Sequence, residues 1–177
     1  MSWGSVDYHE FEEFAKRLEK EFGSAETDKF FVDCAKELAA ILLQLVIPKT
    51  PKGVYNNLMP GYERDTSGTL IRGWTGGKDM DGKAYARTLP VKKQGSDYVI
   101  VVENIAENEQ RKPYASYVEH GHPQEIGRYV PAIGKKLVRG WVEGQHFRKI
   151  SEEELKTVAP KQMEKKLEKK LREVFGD

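Results

Sequence analysis

Between Phe30 and Val46 the apolar residues spread around too much of a helix to leave it a single buried stripe. Phe30, Phe31, Cys34, Ala35, Leu38, Leu42, Leu45 and Val46 recur at helical spacing, but their arc is broad. Such a helix needs neighbours on more than one side. Apolar residues are not plentiful elsewhere: 38% of the 177 residues are hydrophobic and 32% are charged. That balance supports one core, with elongated or partly exposed helices around it. The helix is expected to start near Ser24 or Thr27. Pro48 and Pro51 should end it, because neither continues a hydrogen-bond ladder.

Two further helices flank the chain. Tyr8, Phe11, Phe14, Ala15, Leu18 and Phe22 mark the first, with Asp7 and Glu10 as a capping pair and Gly23 as its stop. The last is expected from Ser151 to Phe175, opened by a Ser151–Glu154 capping box. Its apolar stripe runs through Leu155, Val158, Ala159, Met163, Leu167, Leu171 and Val174. Pro160 should kink it or split it in two.

The middle of the chain is less regular. Residues 49–82 are rich in Gly, Pro, Asn and Asp, and are expected to form a long mobile loop. Within it, "SGTLIRGW" suits a short helix or strand capped by Ser67. "AYARTLPVKK" and "DYVIVVENI" then flank a Gly95 turn as a strand pair, with Pro90 at an edge or a break. "KPYASYVEHGH" reads as a short helix, with Pro113 in its first turn and Gly121 as its C-cap. The order of these patterns predicts one α+β domain over residues 1–177. Its small, mostly antiparallel sheet would centre on Tyr85 to Ile105, with N-terminal helices and a long C-terminal helix packed on it.

Charge and cysteine usage narrow the function classes. Twenty-nine basic and 28 acidic residues leave a net charge of +1, so no global field favours nucleic acid, and self-association meets little repulsion. The lone Cys34 cannot close an internal disulfide and sits on an apolar face, which fits a small buried hydrophobe in a reducing compartment. The N-terminus lacks a basic start and an apolar core, and "LAAILLQLVI" is too short to span a membrane. A soluble cytoplasmic protein is expected.

"YASYVEHGH", Tyr114 to His122, is the stretch in which chemistry would be sought. Glu119, His120 and His122 could together hold a metal ion and support a metal-dependent enzyme. The spacing matches no strong zinc signature, and residues 120 and 122 diverge on a helix unless Gly121 breaks it. There is no Gly-x-Ser-x-Gly elbow and no phosphate-cradling Gly-x4-Gly-Lys-Ser/Thr. "DMDGK" lacks the later Glu of a calcium loop, so Asp79 and Asp81 are read as turn residues. The lysines of the last helix alternate with glutamates, as on a solvated helix face, rather than forming a DNA-binding stripe.

Three segments together carry a resemblance. They are Tyr114, Ala115, Tyr117, Val118, Glu119, Gly121 and His122 in the first; Trp141, Val142, Gly144 and Phe147 in the second; and Ser67, Gly68, Leu70, Arg72 and Trp74 in the third. With the charged C-terminal helix, over roughly residues 5 to 175, they resemble the gene-product-ten-like tail-component family of the HK type. Its members are encoded by phages and prophages between the head and tail genes. The resemblance implies a non-enzymatic head–tail connector, neck or tail-completion protein with no cofactor. It also implies a homo-oligomeric ring, six-fold like the tail, that meets other connector and tail proteins in the virion after assembly in the host cytoplasm. On that reading Tyr114 and Tyr117 pack the short helix, while Glu119 and His122 brace the turn after it.

Overall fold

The computed structural model describes residues 20, 23–53, 60, 68–108 and 110–175. The expected first helix apart from residue 20, the Ser67 cap and the 54–67 stretch apart from residue 60 lie outside them. The order of the described elements is α1 (Ser24–Lys49), α2 (Thr69–Gly73), α3 (Gly82–Thr88), β1 (Val91–Gln94), β2 (Asp97–Ile100), α4 (Ala115–His120), β3 (Gly121–Pro123), β4 (Tyr129–Val130), β5 (Lys135–Lys136), β6 (Trp141–Glu143) and α5 (Phe147–Phe175). The fold is α+β, with small antiparallel ladders and a long C-terminal helix.

The broad apolar arc is explained by the neighbours of α1. It packs against α3, α5 and the β1–β2 hairpin. Towards its C-terminal end, Ala39, Ala40, Leu43 and Val46 join Leu70, Trp74, Ala86, Ala106 and Phe147 in the main core. Nearer its start, Phe30, Phe31 and Cys34 meet Met163 of α5, with Tyr98 and Leu167 packed alongside. The Phe31 and Tyr98 rings stack with centroids 5.3 Å apart. Tyr98 and Lys93 both bond the Asp28 carboxylate. Those bonds, Lys93's first, hold the Asp28 pKa below the ordinary carboxylate value, while burial raises that of Tyr98.

Helix α1 passes through Pro48 and stops one residue later. Pro48 has no N–H to donate to the carbonyl four residues back, so the ladder is weakened there and the helix ends at the next residue. Thr50 then turns extended ahead of Pro51, and its Oγ1 donates to the Val46 carbonyl (2.7 Å).

Three sequence expectations are corrected. Residues 84–88 form helix α3 rather than a strand. Asp81 caps α3, accepting from the N–H groups of Lys83 (2.8 Å) and Ala84 (3.4 Å). Gly82 makes the packing possible, since a Cβ there would stand 2.7 Å from that of Leu43. The ladder itself covers only Val91–Gln94 and Asp97–Ile100, turning at Gly95 with φ +66°. Ser151 does not cap the last helix. It lies inside α5, fully buried, with its Oγ donating to the Phe147 carbonyl (2.7 Å). Nor does Pro160 divide that helix, which is one element from Phe147 to Phe175.

A long arm completes the fold. From Gly121 the chain runs out through β3 and β4, turns at 131–134, and returns through β5 and β6 to Gly144. None of its residues is buried. This region reads as a plain loop from sequence because its strands are too short to show a period of two.

Candidate functional site

The first and second motif segments meet where the arm leaves the body. Helix α4 positions Glu119 and ends at Gly121, which has φ +80°. Residues Gly121, His122 and Pro123 pair antiparallel with Glu143, Val142 and Trp141. The N–H of Gln145 donates to the Val118 carbonyl (2.8 Å), and that of His146 to the Glu119 carbonyl (3.1 Å). A Cβ on Gly144 would run into the Glu119 carbonyl and lie 2.8 Å from the Gly121 nitrogen. One on Gly121 would run into the Val142 carbonyl. Only glycine allows two backbones this close.

That contact brings Glu119 to the start of α5. Its side chain is buried, with 3% of the residue exposed. The N–H of Arg148 donates to Oε2 (2.8 Å) and that of Lys149 to Oε1 (3.0 Å). These are the second and third residues of α5, whose amides have no partner within the helix. A local cap normally satisfies them. Here His146 precedes the helix with φ +51°, and a residue 29 positions earlier in the chain provides the acceptor. The first turn of α5 carries no acidic side chain of its own, so the Glu119 carboxylate also supplies the negative charge that a helix N-terminus favours.

The third motif is connected through aromatic packing. Trp74 is buried, its ring edge-on to Phe147 with centroids 6.2 Å apart. Its Nε1–H donates to Thr50 Oγ1 (2.8 Å), which ties α2 to the end of α1. Leu70 joins the same core. Gly68 has φ +88° and precedes α2 without a side-chain cap. Asn104, not singled out from sequence, donates from Nδ2 to the Leu70 carbonyl (2.7 Å) and accepts from the Ala106 N–H (2.9 Å). Its one sequence signal is a polar residue inside an apolar run.

The remaining motif residues divide. Tyr114, Ala115 and Val118 pack on the main core. Tyr117 does not: it is 57% exposed, and its ring lies edge-on to that of His122, 5.9 Å away. Trp141 and Val142 are exposed on the arm. Pro113 stands two residues before α4, bridged to Glu107, rather than in its first turn. His120 is exposed, and His122 is half-buried with its Nδ1 shielded from solvent and without a hydrogen-bond partner. Among the described residues, no three His, Cys, Asp or Glu side chains are placed to share a metal ion. Within the same residues, no helix is long and apolar enough to cross a membrane.

No curated protein and no solved structure matches the chain. A protein family described as "Bacteriophage HK97-gp10, putative tail-component" matches residues 12–121. The match takes in the third motif segment and the first as far as Gly121, so His122 and the Trp141–Phe147 segment lie beyond it. The matched stretch is more than half of the sequence, and the chain belongs to the HK97-gp10-like family of phage tail components.

Proposed function

We propose that this protein is a non-enzymatic structural component of the phage virion, acting at the head–tail junction as a neck or tail-completion protein. Residues 1–177 then work as one unit. Copies of the chain form a ring, six-fold like the tail, between connector and tail proteins, after assembly in the host cytoplasm. One observation supports this above the others: both oxygens of Glu119 are engaged by the Arg148 and Lys149 amides. A metal-dependent enzyme built on Glu119, His120 and His122 would need that carboxylate to face a ligand. Instead, the most chemically suggestive residue of the chain joins two structural elements.

The experiment is particle assembly without this protein. Heads and tails that accumulate unjoined, and that join when the protein is added back, are the expected result. Electron microscopy should then place it at the junction. Complete, joined particles in its absence would overturn the proposal, as would metal-dependent turnover that His122→Ala abolishes while assembly continues.

A further inference from the structure

We infer that the tip of the arm docks on the outer face of residues 99–107 of a second copy of this chain. The inference rests on the reading that copies assemble, and it adds which two surfaces meet. The arm has no role in the core of its own subunit, since none of its residues is buried or belongs to either core cluster. It nevertheless carries large apolar side chains into solvent: Ile126 is 67% exposed and Val138 82%, with Tyr129 and Ile133 also on the surface. An exposed apolar patch of this kind marks a contact surface.

The second surface is the outer side of β2 and of the segment that follows it. Tyr98, Ile100 and Val102 pack inward against the core clusters, and Ala106 is buried. The alternate residues Val99, Val101, Glu103, Ile105 and Glu107 are all exposed. The β1 partner ends opposite Ile100, so from Val101 onward no neighbouring strand of the described hairpin covers this apolar and acidic row.

Charge selects the pairing. From Ile126 to Gly140 the arm carries Arg128, Lys135, Lys136 and Arg139 and no acidic residue. From Asp97 to Asn108 the segment that forms the other surface carries Asp97, Glu103 and Glu107 and no basic residue, while Lys92 of β1 lies opposite Val99 at its hairpin end. Arg111 and Lys112 reverse the sign just beyond, which bounds the acidic stretch. The two surfaces thus carry opposite charge, four basic residues against three acidic ones, and each bears exposed aliphatic side chains. Two different patches meeting in this way make a head-to-tail contact, the kind that closes rings. Opposed charges favour that contact over arm-to-arm or face-to-face pairing.

The test uses the full chain and cysteine placement. Val101→Cys and Val138→Cys proteins are mixed and oxidised, with Val158→Cys, on the exposed side of α5, replacing Val101→Cys in the control mixture. The expected product is a 101–138 disulfide between two chains, at least about tenfold above the control because docking raises the local thiol concentration. In parallel, Glu103→Lys with Glu107→Lys, or Lys135→Glu with Lys136→Glu, should each weaken self-association about tenfold by sedimentation, and mixing the two variants should restore it. Oligomers that form without the 101–138 link would overturn this interface while leaving the junction proposal standing. A chain that stays monomeric would overturn it too, and particle imaging would still decide the junction proposal separately.

Discussion

The Glu119 carboxylate accepts from the backbone N–H of Arg148 at 2.8 Å, across 29 residues of sequence, and so caps a helix to which it does not belong. Removing it should expose its structural role. Glu119→Ala leaves two amides of α5 without an acceptor in a buried setting and should cost about 2–3 kcal/mol, the range for a buried charged hydrogen-bond partner. Glu119→Gln keeps one acceptor oxygen and should cost about half as much, losing the charge but not the shape. Urea unfolding of the three proteins measures both. Equal stability of Glu119→Ala and the natural chain would show that the cap contributes nothing.

The two glycines of the same junction should be less replaceable than a glycine in an open turn. Gly144→Ala places a methyl group against the backbone of Glu119, His120 and Gly121. Gly121→Ala adds a positive φ to the same crowding. Each should cost about 2 kcal/mol or more, whereas Gly95→Ala, with open space around it, should cost about 1 kcal/mol from its positive φ alone. Thermal unfolding of the three variants gives the order, and Gly95→Ala as the worst of them would contradict it.

Trp74 tests the third segment. Trp74→Phe keeps most of the ring against Phe147 but removes the donor to Thr50 Oγ1, and should cost about 1–2 kcal/mol. Trp74→Ala empties the site and should cost about 3–5 kcal/mol. Near-equal losses would mean that the hydrogen bond, rather than the packing, holds α2 in place.

What was legible in the sequence follows from how locally each feature is determined. Helix α1 could be read because its period is set by its own side chains, and Gly121 could be placed as a helix stop because a positive φ at a helix end favours glycine. The start of α5 could not. Ser151 and Glu154 match a capping box, but the acceptor for that helix comes from α4, and a tertiary contact leaves no periodic trace. Helix α3 was missed for a related reason: Tyr85 and the residues around it read as strand, while Asp81 and the close fit of Gly82 on Leu43 decide otherwise. At the candidate site, the motif residues were visible as a set, but not the division between those packed inward and those, such as Tyr117 and Trp141, left exposed.

Cys34 connects the core of α1 to a pH dependence. Burial pushes its thiol up to about 11, with nearby Asp33 and Glu37 adding to the rise and Lys166 opposing it. In the folded protein at neutral pH it should therefore be protonated and react slowly with a thiol reagent, and unfolding in urea should release fast, stoichiometric reaction. The linkage has a definite sign. A thiol with an ordinary value near 8.5 when unfolded loses its proton first in the unfolded state, so this group lowers stability as pH rises from about 9 to about 11. Comparison with Cys34→Ala isolates that effect from other groups titrating in the same range. The alanine variant should be less stable at neutral pH, by about 1 kcal/mol for the small cavity, and the gap should narrow and then reverse as the pH climbs towards about 11. Denaturant midpoints of both proteins at a series of pH values supply the measurement. A gap that stays constant through that window would mean the thiol is not held protonated by the core.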